Sequence, residues 1–327
     1  MKYNNKFLKL SFLFWAFSLV SCHIKESKEL KLAHGLPTDH PVHHAMAFMA
    51  ERTGELSEGK LTIEVYPAGQ LGSEQQCVEL VQIGSLAITK VSAAALEGFA
   101  DAYKVFGLPY IFKSKEHAFA VLDGDIGNDI LVSTADKWIH GLCYYDAGSR
   151  SFYTKTKPIN HPDDLAGMKI RVMQSITAVE MMRALGGSAT PISWGELYTA
   201  LQSGVVDGAE NNPPSFYTSR HYEVCKFYSL DEHTTIPDVL IISQKIWDKL
   251  TPQEQHWVKQ AADESAVLQR KLWAESEEFS MAEVQKAGVV VNYPDKQPFI
   301  DKVQPLIESY SNHPVIYSYI QRIREIK

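Results

Sequence analysis

Cysteine is scarce: four residues in 327, with no Cys-x-x-Cys pair, leave no basis for a dense disulfide framework or a thiolate zinc site. Cys77, Cys143 and Cys225 remain once the leader is set aside, an odd number, so at least one has no intramolecular partner. Apolar neighbours such as Val78, Leu142 and Val224 mark them as small buried side chains. Positive charge is also short, with 32 Lys and Arg against 39 Asp and Glu and a formal net charge of −7. An acidic chain carries no footprint for nucleic acid, and any anion it holds must be attracted by local arginines against the overall field. Glycine-rich phosphate cradles are missing, because residues 68–72 and 124–127 lack the strand context and full glycine spacing of a nucleotide loop. A Gly-x-Ser-x-Gly nucleophile elbow is missing too. Nothing in the sequence calls for a cofactor.

Beyond residue 22 no stretch reaches the ~20 apolar residues of a membrane-spanning helix. Residues 1–22 read as an export signal: Lys2, Lys6 and Lys9, an apolar run over residues 10–20, then Ser21 and Cys22. Small residues before a cysteine are the lipoprotein pattern, in which the Cys22 thiol takes the lipid and becomes the new amino terminus. The polar residues 23–30 then form a tether, and the chain is expected outside the cytoplasm, in the periplasm, touching a membrane only through that anchor.

The chain as a whole has ordinary globular composition, 45% hydrophobic and 22% charged. Residues 30–34 read as a strand, and Val42, Ala45, Met46 and Met49 repeat at helical spacing. Residues 60–66 alternate as a half-buried strand, 74–83 form a helix closed at Gly84, and 86–91 a third strand. Such β-α-β-α-β order implies an α/β fold with a mainly parallel sheet, whose ligands sit beyond the carboxyl ends of its strands. His34, Lys90 and Glu74, at strand and helix ends, can converge on one cleft edge; Glu74 would accept from hydroxyls and Lys90 donate, a pairing suited to a sugar acid. Solvated surface is the alternative for each.

A helical region over 116–138, broken near 123–127, precedes strands at 141–146 and 151–154. Asn211, Asn212, Pro213 and Pro214 are expected to leave regular structure, freeing two amides. Further strands lie at 226–230 and 239–243, and one amphipathic helix runs from Pro252 to about 287, closed by Gly288. A last strand at 289–292 and helices from Gln297 onward complete the second domain.

Four histidines, His34, His40, His43 and His44, raise the question of a metal. No carboxylate sits in register with them, so no metal site is assigned, and His40 with Pro41 reads as a helix start. Asp163 with Asp164 and Asp231 with Glu232 sit in apparent turns and are read as solvated charge. Trp194, Tyr198 and Tyr217 stand at core-like spacing, though a flat Trp194 ring would also fit a pyranose face.

Residues 169–173, Lys-Ile-Arg-Val-Met, set a lone Arg171 in an otherwise buried strand. A buried guanidinium cannot shed its charge, so it must meet an anion, either a ligand carboxylate or an internal acidic side chain. After it come a Gly-Gly-terminated helix and the run TPISWGELYTALQSGVVDGAENNP. Together with LAHGLPTDHP, YPAGQLGSE and DAGSRSFYTK, this order closely resembles the solute receptors of tripartite ATP-independent periplasmic (TRAP) transporters over most of the chain.

The resemblance implies a two-domain periplasmic-binding-protein-like fold, with the ligand cleft between domains and a long helix spanning both. The domains are expected at 28–148 plus about 237–276, and at 149–236 plus about 277–327. It further implies Arg171 as the carboxylate ligand, Arg150 as a second guanidinium, Asn211 as orienting amide, and small and large membrane subunits as partners. Asp146, at the head of the Arg150 segment, joins the set. The Asp-Ala-Gly-Ser-Arg and Ala-Glu-Asn-Asn-Pro variants resemble the uronate-binding branch, so a hexuronate such as glucuronate or galacturonate is the expected ligand. C4-dicarboxylates, sialic or aldonic acids and α-keto acids are the alternatives. A rival of another class is an exported enzyme acting on acidic sugars, for which only His34 or Lys90 could serve as base.

Overall fold

A computed structural model describes residues 27–326; the signal segment and Cys22 lie outside them. Eleven strands are present among the described residues: β1 Lys28–Ala33, β2 Leu61–Tyr66, β3 Ile88–Ser92, β4 Ile139–Tyr145, β5 Arg150–Thr154, β6 Lys169–Val172, β7 Ser188–Pro191, β8 Gly208–Asn211, β9 Phe227–Thr234, β10 Asp238–Ser243 and β11 Val290–Asn292. They form two sheets, ordered β2-β1-β3-β10-β4 and β11-β9-β5-β8-β6-β7. Each sheet mixes parallel neighbours, such as β1 with β2 and β6 with β8, with antiparallel ones contributed by strands that cross from the other half.

Local chemistry explains the helices. Ser73 and Gln76 make a reciprocal capping box at the start of Glu74–Ile83, and Gly84 closes that helix at φ 84°. Such a box satisfies two orphan donors and contributes about 1 kcal/mol. Thr251 and Glu254 repeat the device at the head of the long helix Pro252–Lys286, with proline in its first turn. Helices cover both faces of the first sheet, where Val42, Met46 and Met49 fill one core and Val78, Tyr103, Phe106 and Val121 the other.

Among the described residues four segments connect the halves. Residues 146–149 join β4 to β5, and 235–237 join β9 to β10. The long helix buries Val258, Ala261 and Trp273 in the first half and Val284 in the second. The fourth crossing departs from expectation. Helix Gln297–Ser309 buries Phe299 and Val303 in the second half, but helix Pro314–Glu325 returns to bury Ile316, Ile320 and Ile323 in the first. Two further readings are corrected. Asn211 stays in β8, and Asn212 caps a short helix, Pro213–Thr218, because prolines in a first helical turn need no N–H donor. Asp231 is no solvated turn residue: it lies fully buried inside β9, while Glu232, at φ 50°, turns outward to Lys296. Cys77, Cys143 and Cys225 are free and buried.

Candidate functional site

Between the sheets lies a cavity of about 310 Å³, at the lower end of the range for small-molecule sites. Arg171, Arg150, Asn211 and Trp194 line it from the second half, and Glu74, Lys90, His40 and Asp238 from the first. β6 ends one residue beyond Arg171, so the side chain leaves the sheet at its carboxyl end, where the cleft opens.

Arg171 is 3% exposed, and no acid pairs with it among the described residues. Its Nε donates to the Ile192 carbonyl at 2.9 Å, and its guanidinium carbon lies 5.8 Å from the centre of the Trp194 ring. Nη1 is buried without a hydrogen-bond partner. Burial lowers its pKa, but a guanidinium stays protonated regardless. The site therefore presents a fixed positive fork with a buried Nη1 that no hydrogen-bonded acid meets, although the nearby Glu210 charge favours the cation.

Arg150 is a different case. Its Nε meets Glu210 Oε2 at 2.5 Å, Nη2 donates to Glu210 Oε1 and to the Glu210 carbonyl, both at 2.9 Å, and Nη1 donates to Asn211 Oδ1 at 2.8 Å. Behind Glu210 sits His233, whose Nδ1 is 2.8 Å from Asp231 Oδ2 and whose Nε2 is 3.5 Å from Glu210 Oε2. Burial alone would neutralise each group, yet the charges outweigh it: Glu210 falls to about 2 beside Arg150 and His233, and His233 rises to about 9 beside Asp231 and Glu210. Arg150 thus borders the cavity with its charge already matched. Its bond to Asn211 Oδ1, shared with the Asn212 N–H at 2.9 Å, leaves the Asn211 amide nitrogen with hydrogens to donate.

The opposite wall is rich in acceptors. Lys90 Nζ lies 2.9 Å from Asp238 Oδ2 and 3.4 Å from Glu74 Oε1, which also accepts from the Ser92 N–H at 3.1 Å. Burial opposes the Lys90 charge, but Asp238 and Glu74 outweigh it and raise its pKa. Two carboxylates on one ammonium leave this wall with an excess of negative charge facing the Arg171 wall.

Two expected residues do not reach the cavity. His34 lies behind it: Nδ1 accepts from the Leu36 N–H at 3.2 Å and Nε2 meets His43 Nδ1 at 3.0 Å. Asp146 lies at the crossing between halves, where it accepts from the Gly148 N–H at 2.8 Å and pairs with Lys115 at 2.8 Å. His40 takes the place expected of His34. It caps the first helix through Nδ1, so Nε2 carries the hydrogen and faces Ser215 Oγ, 3.3 Å away across the cleft. Burial keeps it neutral. Among the described residues no cluster is arranged to hold a metal ion. Sequence reading missed Asp238, His40, Ser215 and Trp273; Asp238 follows Pro237 at a strand start, the one signal that could have flagged it.

Comparison with known proteins gives the same picture. Residues 32–313 match the family model for bacterial extracellular solute-binding proteins, family 7. A TRAP periplasmic solute-binding protein from Xanthobacter autotrophicus Py2, solved with β-D-galacturonate, is 42% identical, covers 91% of this chain and 100% of its own, and superposes with a TM-score of 0.88. Another, from Anaerococcus prevotii with D-glucuronate, is 38% identical over 92% and 98% of the two chains, with a TM-score of 0.90. A solute-binding protein from Chromohalobacter salexigens is 34% identical over 291 residues, 88% of this chain and 87% of its own. The chain belongs to the family 7 extracellular solute-binding proteins, and it is the solute receptor of a TRAP transporter.

Proposed function

We propose that this receptor binds a hexuronate, D-galacturonate or D-glucuronate, by closing its two lobes around the sugar. The observation that carries the reading is Arg171, buried, unpaired and aimed at a cavity whose far wall offers acceptors. A carboxylate placed on the fork forms the charge-assisted, two-pronged pair the site lacks, with Asn211 donating alongside. Glu74 and Asp238 accept from ring hydroxyls, Lys90 donates between them, and the Trp194 ring lies against one sugar face. A dicarboxylate would press its second charge on Glu74 and Asp238, which favours a monoanion carrying hydroxyls. The uronates bound by the relatives from Xanthobacter and Anaerococcus support the same class.

Turnover of the sugar is disfavoured by the groups nominated as base. Both His34 ring nitrogens are engaged away from the cavity, and Lys90 is held protonated. Lobe closure is the signal for two membrane subunits that spend an ion gradient, and lipid on Cys22 tethers the receptor near them. A thermal-shift and calorimetric panel tests the ligand. Saturable 1:1 binding of a hexuronate, with succinate, malate, sialic acid and α-keto acids at least tenfold weaker, is the expected outcome; preference for any of those four would overturn it.

A further inference from the structure

Glu97 is 3% exposed, comes directly after the 3-10 turn Ala93–Leu96 at the end of β3, and takes no part in lining the ligand cavity. Its carboxyl group instead crosses to the other lobe. Oε2 accepts from the Thr177 N–H at 3.2 Å and Oε1 from the Thr177 hydroxyl, at the first turn of helix Ile176–Leu185. That helix begins five residues after Arg171. Gly107 makes the approach possible, since a Cβ there would fall 2.0 Å from Thr177 Oγ1 and 2.8 Å from Glu97 Oε1. One turn further along the same helix, Glu180 accepts from the Tyr310 hydroxyl at 2.6 Å, and Tyr310 belongs to the first lobe's core. A smaller cavity of about 170 Å³ joins Glu97 to Arg171, Glu74 and Trp194.

We propose that Glu97 is a proton-linked latch, positioning the Arg171 lobe in the closed receptor and taking up a proton when ligand closes the cleft. The inference rests on the receptor reading above and adds a group that touches no ligand. Protonated, it can keep the Thr177 N–H on one oxygen while the bond to the Thr177 hydroxyl reverses, the acid O–H donating to the hydroxyl oxygen.

Glu97 enters no ion pair among the described residues, so no cation holds it ionised. The charged and titratable groups around it are Asp101, paired with Lys104, Glu180 on the facing helix, Tyr310, and Arg171 and Glu74 across the smaller cavity. Burial, the dominant influence, pushes Glu97 up to about 7, against hydrogen bonds from Thr177, Ile176 and Ser175 that lower it. Opening the cleft exposes the carboxyl to water and returns it to the ordinary carboxylate range. The closed form then binds the extra proton, so falling pH favours closure and ligand binding between those two values.

Calorimetry with D-galacturonate in buffers of different ionisation enthalpy measures the protons taken up. The wild type should take up about half a proton per ligand at pH 7, and bind on the order of tenfold or more tighter at pH 5.5 than at pH 8. Glu97→Gln keeps an acceptor for the Thr177 N–H but cannot titrate, so it should bind with that uptake and that pH slope removed. Thr177→Val, which deletes the hydroxyl and keeps the shape, should raise the ligand off-rate. Equal proton uptake in wild type and Glu97→Gln would overturn the latch while leaving the receptor reading standing. Absence of any uronate binding would instead overturn the uronate reading.

Discussion

Replacing Arg171 by methionine separates the two anions a buried guanidinium could have served, because the two cases shift stability and affinity in different directions. In the ligand-free protein Arg171 has one bond, to the Ile192 carbonyl, a buried Nη1 with no partner and no acidic neighbour in contact. An unmet buried polar group costs roughly 1–3 kcal/mol, more when charged. Methionine removes the charge at similar length, so the ligand-free variant should be more stable by about 1–3 kcal/mol. At about 2–4 °C per kcal/mol for a body of 150–250 residues, its melting temperature should rise by several degrees. The bound state loses a buried, hydrogen-bonded charge pair, worth about 2–5 kcal/mol, so uronate affinity should fall roughly 30-fold to several thousand-fold. Arg171→Lys keeps the charge and loses both the fork and the Nε tether, for a loss of about tenfold or more. Scanning calorimetry of the ligand-free variants and titration with galacturonate read both quantities. A methionine variant that melts lower than wild type without ligand would refute the reasoning, because it would mean the charge was compensated all along.

Other perturbations discriminate among the remaining groups. Glu74→Gln and Asp238→Asn should reorder the affinities of galacturonate, glucuronate and succinate more than they weaken all three; a uniform loss measured across the set would remove these carboxylates from recognition. His233 rises from 6.5 to about 9 when folded, so its contribution, about 3 kcal/mol at most, is fully present below pH 6.5 and lost as pH climbs through 9. Denaturation of His233→Asn against wild type should therefore show a stability gap at pH 6 that narrows by pH 9.5, and a constant gap would assign His233 a packing role only. Cys22→Ser should move the protein from the membrane fraction to the soluble extracytoplasmic fraction, and unchanged fractionation would rule out the lipid anchor.

Arg171 stood out in the sequence because one guanidinium in an apolar strand has few stable fates. The long helix was equally plain, since its capping residues and closing glycine are local signals. Partner choice was not legible. Nothing around Glu210 announces that it neutralises Arg150; the pairing arises because β5 and β8 run antiparallel, with Phe152 opposite Glu210 and Ser151 opposite Asn211. Asp231 looked like half of a charged turn, but both acids lie inside β9, where successive side chains alternate faces, so Asp231 is buried and Glu232 exposed. His34 and His40 show a related limit. Both flank an element near the cleft, but the capping bond of His40 turns its other nitrogen toward the cavity, while His34 spends both on its own lobe. The last helix has an apolar face that fits either core, so its return to the first lobe had no local signature.

On the proposed reading, two arginines on β5 and β6, the strands that flank β8 in one sheet, divide the work of holding an anion. Arg150 is tied through Glu210 and His233 to Asp231, a buried chain in which every charge has an opposite neighbour. Charge-matched networks of this kind contribute little attraction outward, so on this reading Arg150 serves by holding Asn211 in place. Arg171, given the same burial and no acid, holds its attraction in reserve. An open cleft lets water offset part of that charge; a closed empty cleft offsets none of it, and closing without ligand is accordingly costly. On the proposed reading the ligand carboxylate removes this cost. The fork, so read, discriminates between an occupied and an empty closed state, and ligand shifts the equilibrium toward closure by that difference.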